Sequence, residues 1–159
     1  MTTIATDGKT VAADGRETRG WEITNNNAVK LRVGRNPHGG RAIYACTGEF
    51  SVFEAAIEWA QNGARPGDVP KADEDWSLIV VDTVAGVISY DSKSPFPSRH
   101  NVPCAFGNGR DFARAAMMCG KTPAEAVEIA IQCDASSGGT IMVLDIAESL
   151  EFVQKIAAE

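Results

Sequence analysis

The sequence predicts an α+β fold in a single domain over residues 1–159. Candidate strands come first, one helix follows, and further strands, two helices and another strand complete the order. Short turns separate neighbouring strands, which is typical of antiparallel pairing. Two face-to-face sheets with helices outside, or one sheet backed by helices, would both bury the apolar faces, and the pattern alone ranks them about level.

The first part of the chain is predicted to contain four strands and one helix. Asp7-Gly8 is a strong hairpin signal between the first two strands, and 15–27 is a polar turn. Ser51 and Glu54 have the spacing of a capping box, and apolar residues then recur at helical spacing. The predicted strands are 2–7, 9–14, 28–33 and 41–46, and the predicted helix is 52–62.

The second part is predicted to contain four strands and two helices, with polar loops at 65–75 and 91–102. Thr122 and Glu125 form a capping box, with Pro at the first helical position. The tail 149–156 is ambiguous between strand and helix. The predicted strands are 77–82, 86–90, 103–106 and 140–144, and the predicted helices are 110–119 and 123–133.

Composition narrows the classes of partner. A net charge of -6 argues against a nucleic-acid surface and an anionic membrane, and no apolar run approaches the ~18 residues of a membrane span. The first residues do not resemble a secretory signal, so a cytoplasmic protein is predicted. Two histidines without clustered ligands argue against a metal site, and no cofactor is predicted. The four cysteines lie in apolar stretches and are predicted to be reduced and buried: Cys46, Cys104, Cys119 and Cys133.

The chain opens on Met1 and Thr2. Removal of Met1 would leave Thr2 with a free α-amine beside its own hydroxyl, so that a nucleophile and its base would lie on one residue. An α-amine titrates near pH ~8, so an appreciable fraction is neutral at pH 7 and can accept the hydroxyl proton. Most Met-Thr starts are only translation starts, so the case for catalysis depends on the rest of the sequence.

Four collinear segments resemble proteasome β subunits and the bacterial HslV peptidase, which are N-terminal-nucleophile (Ntn) hydrolases. Thr2-Thr3-Ile4, followed by VAADGRETRG over 11–20, is similar to the family's processed Thr and its D-x-R-x-T-x-G segment. Lys30 follows Asp14 at the family spacing of sixteen residues. AFGNG over 105–109 is similar to the family's glycine turn before a helix, and DASSGG over 134–139 resembles the proteasomal D-x-x-S-G-G segment.

The resemblance implies a four-layer αββα sandwich and a threonine-type endopeptidase. One helix of an outer layer is predicted to be missing, because 65–75 is too short and too rich in Pro and Gly to form it. Thr2 Oγ would attack a peptide carbonyl, and Lys30 would lower the pKa of the α-amine and assist removal of the hydroxyl proton. Asp14 would keep Lys30 charged and oriented. The alternative for an isolated Asp/Lys pair is an exposed salt bridge between neighbouring strands.

The remaining catalytic assignments also follow from the resemblance. Asp134 and Ser137 would belong to the hydrogen-bond network around the Thr2 amine, although the same residues are common in a polar turn. Asn108 stands where the family has a serine, so it can donate and accept hydrogen bonds but cannot shuttle a proton through a hydroxyl. Gly48, or Thr47, would supply a main-chain N–H to the oxyanion hole. Four residues are assigned to substrate binding: Thr18 and Gly20 along the cleft, and Ala45 and Cys46 in the pocket wall.

The sequence therefore leaves three functions open. The first is a proteasome/HslV-like threonine peptidase that cuts peptides or unfolded protein within a homo-oligomeric ring. The second is a catalytically inactive structural or ring-forming protein of the same fold, which Asn108 and the missing helix favour. The third is an Ntn amidase acting on a small amide. An ATPase unfoldase is a candidate partner, but the missing helix belongs to the ring-contact region of the relatives, so neither ring size nor docking is carried over.

Overall fold

A computed structural model describes the backbone of residues 1–156 and the side chains of residues 1–151. In chain order the elements are β1 (Thr3–Thr6), β2 (Thr10–Ala13), β3 (Glu17–Arg19), β4 (Glu22–Asn25), β5 (Leu31–Arg35), β6 (Arg41–Gly48), α1 (Phe53–Gln61), β7 (Trp76–Asp82), β8 (Gly86–Asp91), β9 (Ser94–His100), β10 (Cys104–Gly107), α2 (Arg110–Met118), α3 (Pro123–Cys133), β11 (Met142–Asp145) and α4 (Ile146–Ile156). They divide into two compact units, one of Met1–Leu31 with Asn101–Leu144, the other of Arg32–His100 with the segment from Asp145 onward. No helix within 1–156 is long and apolar enough to cross a membrane.

The first unit is a four-stranded sheet in the order β10-β1-β2-β11, with α2 and α3 packed on it. Strand β1 pairs antiparallel with both β2 and β10, so it is central and both of its edges are hydrogen-bonded. Small side chains, including Ala5 and Ala12 on the strands and Ala113 and Ala130 on the helices, allow the helices to approach the sheet closely. This packing holds the residues that follow Thr2 in a buried strand.

The second unit is a five-stranded antiparallel sheet in the order β5-β6-β7-β8-β9. Helices α1 and α4 contact strands β6 and β7. Its core contains large aromatic side chains, and the rings of Trp59 and Trp76 meet edge to face with centroids 6.2 Å apart. Segment 49–75 contains a single α-helix, α1, as the sequence predicts.

The three helices predicted with firm boundaries, α1, α2 and α3, are present within two residues of their predicted ends. The capping box of α3 is confirmed, because Thr122 Oγ1 accepts from Glu125 N and Thr122 N donates to the Glu125 carboxylate. The capping box predicted at Ser51 is wrong. A 3-10 turn over Phe50–Val52 precedes α1, and Ser51 Oγ donates to Glu49 instead.

Three strands lie in segments predicted to be turns or loops. Strands β3 and β4 form a hairpin within 15–27 whose side chains are mostly exposed, so no apolar alternation marks them. Strand β9 contains Pro95 and Pro97 and lies at the sheet edge, where a missing N–H is tolerated. Strand β11 is shorter than the predicted strand at 140–144 and is only half-buried, and the ambiguous tail is helical.

The prediction that all four cysteines are buried is half wrong. Cys46 and Cys104 are buried in strands, whereas Cys119 and Cys133 are exposed because they lie at the ends of α2 and α3. All four are free thiols, as predicted. Burial raises the pKa of Cys46 to about 12 and that of Cys104 to about 11.

This difference predicts the pattern of alkylation. Because the thiolate is the reactive species, iodoacetamide at pH 8 should modify Cys119 and Cys133 in the native protein and spare Cys46 and Cys104. Peptide mass spectrometry after a short exposure measures this directly. The same reaction in denaturant should modify all four, and modification of Cys46 without unfolding would contradict the packing of β6.

Candidate active site

The start of the chain is held by the backbone of β10 and the turn that follows it. Thr2 is 4% exposed, and its carbonyl oxygen accepts a hydrogen bond of 2.9 Å from Asn108 N. Gly107 has φ +88°, and a Cβ at this position would lie 1.8 Å from the Thr2 carbonyl oxygen. Only a residue without a side chain permits this approach. The Thr2 hydroxyl makes no hydrogen bond with the described residues, so it is not committed to a structural partner.

Lys30 is a buried cation with three acceptors. Its Nζ donates to Asp14 Oδ1 at 2.9 Å, to the carbonyl oxygen of Arg16 at 2.6 Å and to the carbonyl oxygen of Met1 at 3.1 Å. The Lys30 and Asp14 side chains are 1% and 0% exposed, so the alternative of an exposed salt bridge is wrong. The third acceptor belongs to the peptide bond that joins Met1 to Thr2, which places the ammonium at the residue predicted to be the nucleophile.

Asp14 is held by backbone as well as by Lys30. Its Oδ1 also accepts from Thr3 N at 2.9 Å, and its Oδ2 accepts from Gly138 N at 2.9 Å and from Arg16 N at 3.4 Å. These bonds fix the carboxylate between the start of β1 and the segment that follows α3. Buried charges require such partners, and this carboxylate has them.

The pKa shifts follow from burial. Burial lowers the pKa of Lys30 below its ordinary 10.5, against the opposing attraction of Asp14. Burial, followed by the positive charge of Lys30, lowers the pKa of the Met1 α-amine below 8.0. An amine at this end of the chain is therefore more often neutral at pH 7 than in a free peptide. Asp134 also has a lowered pKa, because hydrogen bonds from Ser137 and Ser136 outweigh the effect of its burial.

A second network joins Asp134 to the start of β1. Ser137 is buried, and its Oγ lies 2.6 Å from Asp134 Oδ2 and 2.6 Å from Thr3 Oγ1. The neighbouring Ser136 donates from its hydroxyl to both Asp134 oxygens, at 2.7 and 2.9 Å. The DASSGG segment is therefore more than a polar turn, since its side chains contact residues more than a hundred positions away.

Asn108 contacts both this network and the start of the chain. Its Nδ2 donates to Ser136 Oγ at 3.2 Å and also contacts Met1 Sδ. Its backbone N–H is the one that holds the Thr2 carbonyl. A side chain and a backbone group of one residue thus both contact the first two residues of the chain.

The predicted catalytic residues of the first unit lie together at the start of the chain. Asp14, Lys30, Ser137 and Asn108 contact residues 1–3 directly, and Asp134 is joined to them through Ser137. The substrate residues Thr18 and Gly20 lie in or beside the exposed hairpin of β3 and β4, and Ala45, Cys46 and Gly48 belong to β6 in the second unit. Their roles in binding substrate, and that of Gly48 in an oxyanion hole, stay predictions.

Sequence reasoning missed three residues that support this site. Arg16 supplies a carbonyl acceptor to Lys30, and its guanidinium donates to Ala135 O at 3.2 Å and to Asn26 Oδ1 at 3.2 Å. Ser136 and Gly107 are the others. All three lie inside the quoted motifs, so the motif match marked their positions, but nothing local indicates what they contact.

No family model matches the sequence, and no curated protein matches it. Among solved structures, the chain is similar to the crystal structure of eukaryotic HslV from Trypanosoma brucei, with a TM-score of 0.64 at 18% sequence identity. The match covers 91% of this chain and 98% of that chain. The chain therefore has an HslV/proteasome-type fold, and the predicted fold class is confirmed.

Proposed function

We propose, from the premise of an HslV-type fold, that this chain is a threonine-type peptidase whose nucleophile is Thr2 after removal of Met1. The observation that carries the proposal is the contact of Lys30 Nζ with the Met1 carbonyl oxygen, on a cation that also contacts Asp14. Once Met1 is removed, this carbonyl is gone and one N–H of Lys30 is released. The released donor then faces the α-amine and hydroxyl of Thr2.

The proposed reaction has two steps. The Thr2 hydroxyl oxygen bonds to the carbonyl carbon of a substrate peptide while its proton passes to the neutral α-amine, directly or through a water. The tetrahedral intermediate then breaks its C–N bond, and the protonated amine returns the proton to the leaving nitrogen. Water attacks the resulting ester by the same route in reverse, which releases the acid and restores Thr2. The positive charge of Lys30 favours the neutral amine and the developing oxyanion.

The substrate class and assembly belong to the same proposal. The substrate is a peptide or an unfolded protein in extended conformation, and the chain works within a homo-oligomeric ring of the kind that the fold suggests. An ATPase that unfolds substrate is a further candidate partner. Native mass spectrometry, with and without an unfolded protein, tests the ring and the substrate class together.

The proposal is tested by the mass and reactivity of Thr2. The protein from its native host should lack Met1, and a peptide epoxyketone, which requires both a hydroxyl and a free α-amine, should add to Thr2. Thr2→Ala should abolish the adduct and all peptide hydrolysis, whereas Thr2→Ser should keep part of both. Thr83→Ala, at an exposed threonine, is the matched control and should behave like the unaltered chain. Intact mass with Met1 fully retained would refute the proposal.

One observation favours the inactive alternative. Met1 has partners of its own, since its carbonyl contacts Lys30 and its sulfur contacts Asn108, so a chain that keeps Met1 occupies its own site. Such a protein would assemble without any adduct at Thr2. The mass of the N-terminal peptide and the adduct assay therefore separate the two functions in one preparation.

A further inference from the structure

Asn108 replaces the serine that the family resemblance places before α2, so the side chain at this position lacks a hydroxyl. The structure supplies a hydroxyl beside it. Ser136 Oγ lies 3.2 Å from Asn108 Nδ2, and 2.7 and 2.9 Å from the two oxygens of Asp134. Ser136 is thus the bridge between Asn108 and Asp134.

The chemistry of the three groups fixes the direction of this bridge. An ionised carboxylate only accepts hydrogen bonds, so the Ser136 hydroxyl donates its hydrogen bond to Asp134. The hydroxyl oxygen is then free to accept from the amide N–H of Asn108. Since only one end of a carboxamide can donate, the nitrogen of Asn108 must face Ser136. The bridge therefore sets the rotation of the amide, which otherwise could turn over at an exposed position.

We propose that Ser136 is a positioning residue, which holds the Asn108 carboxamide in one orientation beside the chain terminus and couples it to Asp134. The proposal rests on the proposed function. The second N–H of the same amide contacts Met1 Sδ, so it points to the end of the chain. After Met1 is removed, that N–H faces the mature terminus and is available to a water or to the substrate. Asn108 and Ser136 would together supply the hydrogen-bonding groups that a single serine supplies in the family.

If Ser136 only stabilised the turn through its backbone, removing its hydroxyl would change neither the orientation of Asn108 nor the reactivity of Thr2. Ser136 N donates to Asp134 Oδ1 at 3.2 Å, which is a turn contact of the backbone. Ser136→Ala keeps this bond and removes only the hydroxyl, so any effect of that variant belongs to the side chain. Ser136→Thr returns a hydroxyl, and Asn108→Leu nearly keeps the shape of Asn108 while it removes both N–H donors and adds no charge.

The kinetic test measures the rate of adduct formation at Thr2 by the peptide epoxyketone in the Met1-free protein. Ser136→Ala and Asn108→Leu should each slow the reaction about tenfold, the effect of losing one hydrogen bond to a charged network. The double variant should be no slower than the slower of the two single variants, because both changes break the same bridge. Ser136→Thr should restore most of the rate, and Ser98→Ala, at an exposed serine of β9, should leave it unchanged. Additive losses, or no loss, would overturn the proposal.

A second measurement is independent of catalysis. In ¹⁵N and ¹³C NMR spectra, Ser136→Ala should shift the side-chain NH₂ resonances of Asn108 and raise the pKa of the Asp134 carboxyl, and Ser136→Thr should reverse both changes. If the unaltered protein forms no adduct but shows these shifts, the proposed function fails and the bridge stands. If the adduct forms but Ser136→Ala changes neither NMR signal, the bridge is wrong and the proposed function stands.

Discussion

Lys30→Met is expected to abolish adduct formation at Thr2 and to lower the free energy of unfolding by about 3–5 kcal/mol. Both effects follow from its burial with Asp14, whose carboxylate would remain in the interior without its cation. The three backbone donors to Asp14 would remain, but they carry no full charge. Urea unfolding measures the stability loss, and the intact mass after incubation with the epoxyketone measures the loss of reactivity.

The exposed pair of Lys93 and Asp75 provides the matched control. Their side chains are 76% and 69% exposed, and Lys93 Nζ lies 2.6 Å from Asp75 Oδ2. Lys93→Met therefore breaks an ion pair that is shorter than the 2.9 Å pair of Lys30 and Asp14 but is exposed to solvent. Solvent screens such a pair, and this variant should keep the stability and reactivity of the unaltered protein. An equal loss in both variants would mean that burial of the Lys30 pair is not the cause.

The double variant Asp14→Asn with Lys30→Met separates stability from chemistry. It removes both buried charges, so most of the lost stability should return. Reactivity should stay absent because no cation remains beside Thr2. A double variant that regains its reactivity would rule out Lys30 as a catalytic group.

Gly107→Ala is expected to lower the free energy of unfolding by more than about 3 kcal/mol. No other small substitution in the first unit is expected to be as damaging. Gly107→Ala combines two penalties. The residue has φ +88°, which costs an L residue about 1–2 kcal/mol, and its new Cβ would lie 1.8 Å from the Thr2 carbonyl oxygen. Strand β10 would have to move from the chain terminus, and the 2.9 Å bond from Asn108 N to Thr2 would be lost. Thermal unfolding and the epoxyketone adduct should both report this.

Gly120→Ala is the control that separates the two penalties. Gly120 has the same φ of +88°, but a Cβ there would have no atom within 4 Å. Gly120→Ala should lower the free energy of unfolding by only about 1–2 kcal/mol, the cost of a positive φ for an L residue, and should leave the reactivity of Thr2 normal. Equal losses in the two variants would show that the close approach of Gly107 to Thr2 is not part of the folded state.

Local sequence patterns were sufficient to predict most helices and the strands in which apolar residues recur regularly. The capped helix α3 was predicted to the residue because its cap lies within four consecutive positions. The hairpin of β3 and β4 and the edge strand β9 were missed, because exposed and proline-containing strands lack the alternation on which a sequence prediction depends. The Ser51 capping box failed because Ser51 bonds to Glu49 and a 3-10 turn precedes α1.

The candidate site was predicted by motif order, and its side-chain contacts were not. Thr2, Asp14, Lys30, Asp134 and Ser137 were all named from their order and spacing, and in the structure the last four belong to one hydrogen-bond network at the first three positions of the chain. The bond between Asn108 and Ser136 joins residues 28 positions apart, so no local pattern could indicate it.

The α+β class, the resemblance to Ntn hydrolases and the residues that a threonine nucleophile would need could all be inferred without coordinates. These properties depend on residue type, order and local spacing, which the amino-acid sequence shows directly. Three features required the folded chain: the burial of the Asp14–Lys30 pair, the contact of Lys30 with the Met1–Thr2 peptide bond, and the link through Ser136 between Asn108 and Asp134. Burial and backbone acceptors come from segments far apart in the sequence, so they exist only once the strands are paired and the helices are packed.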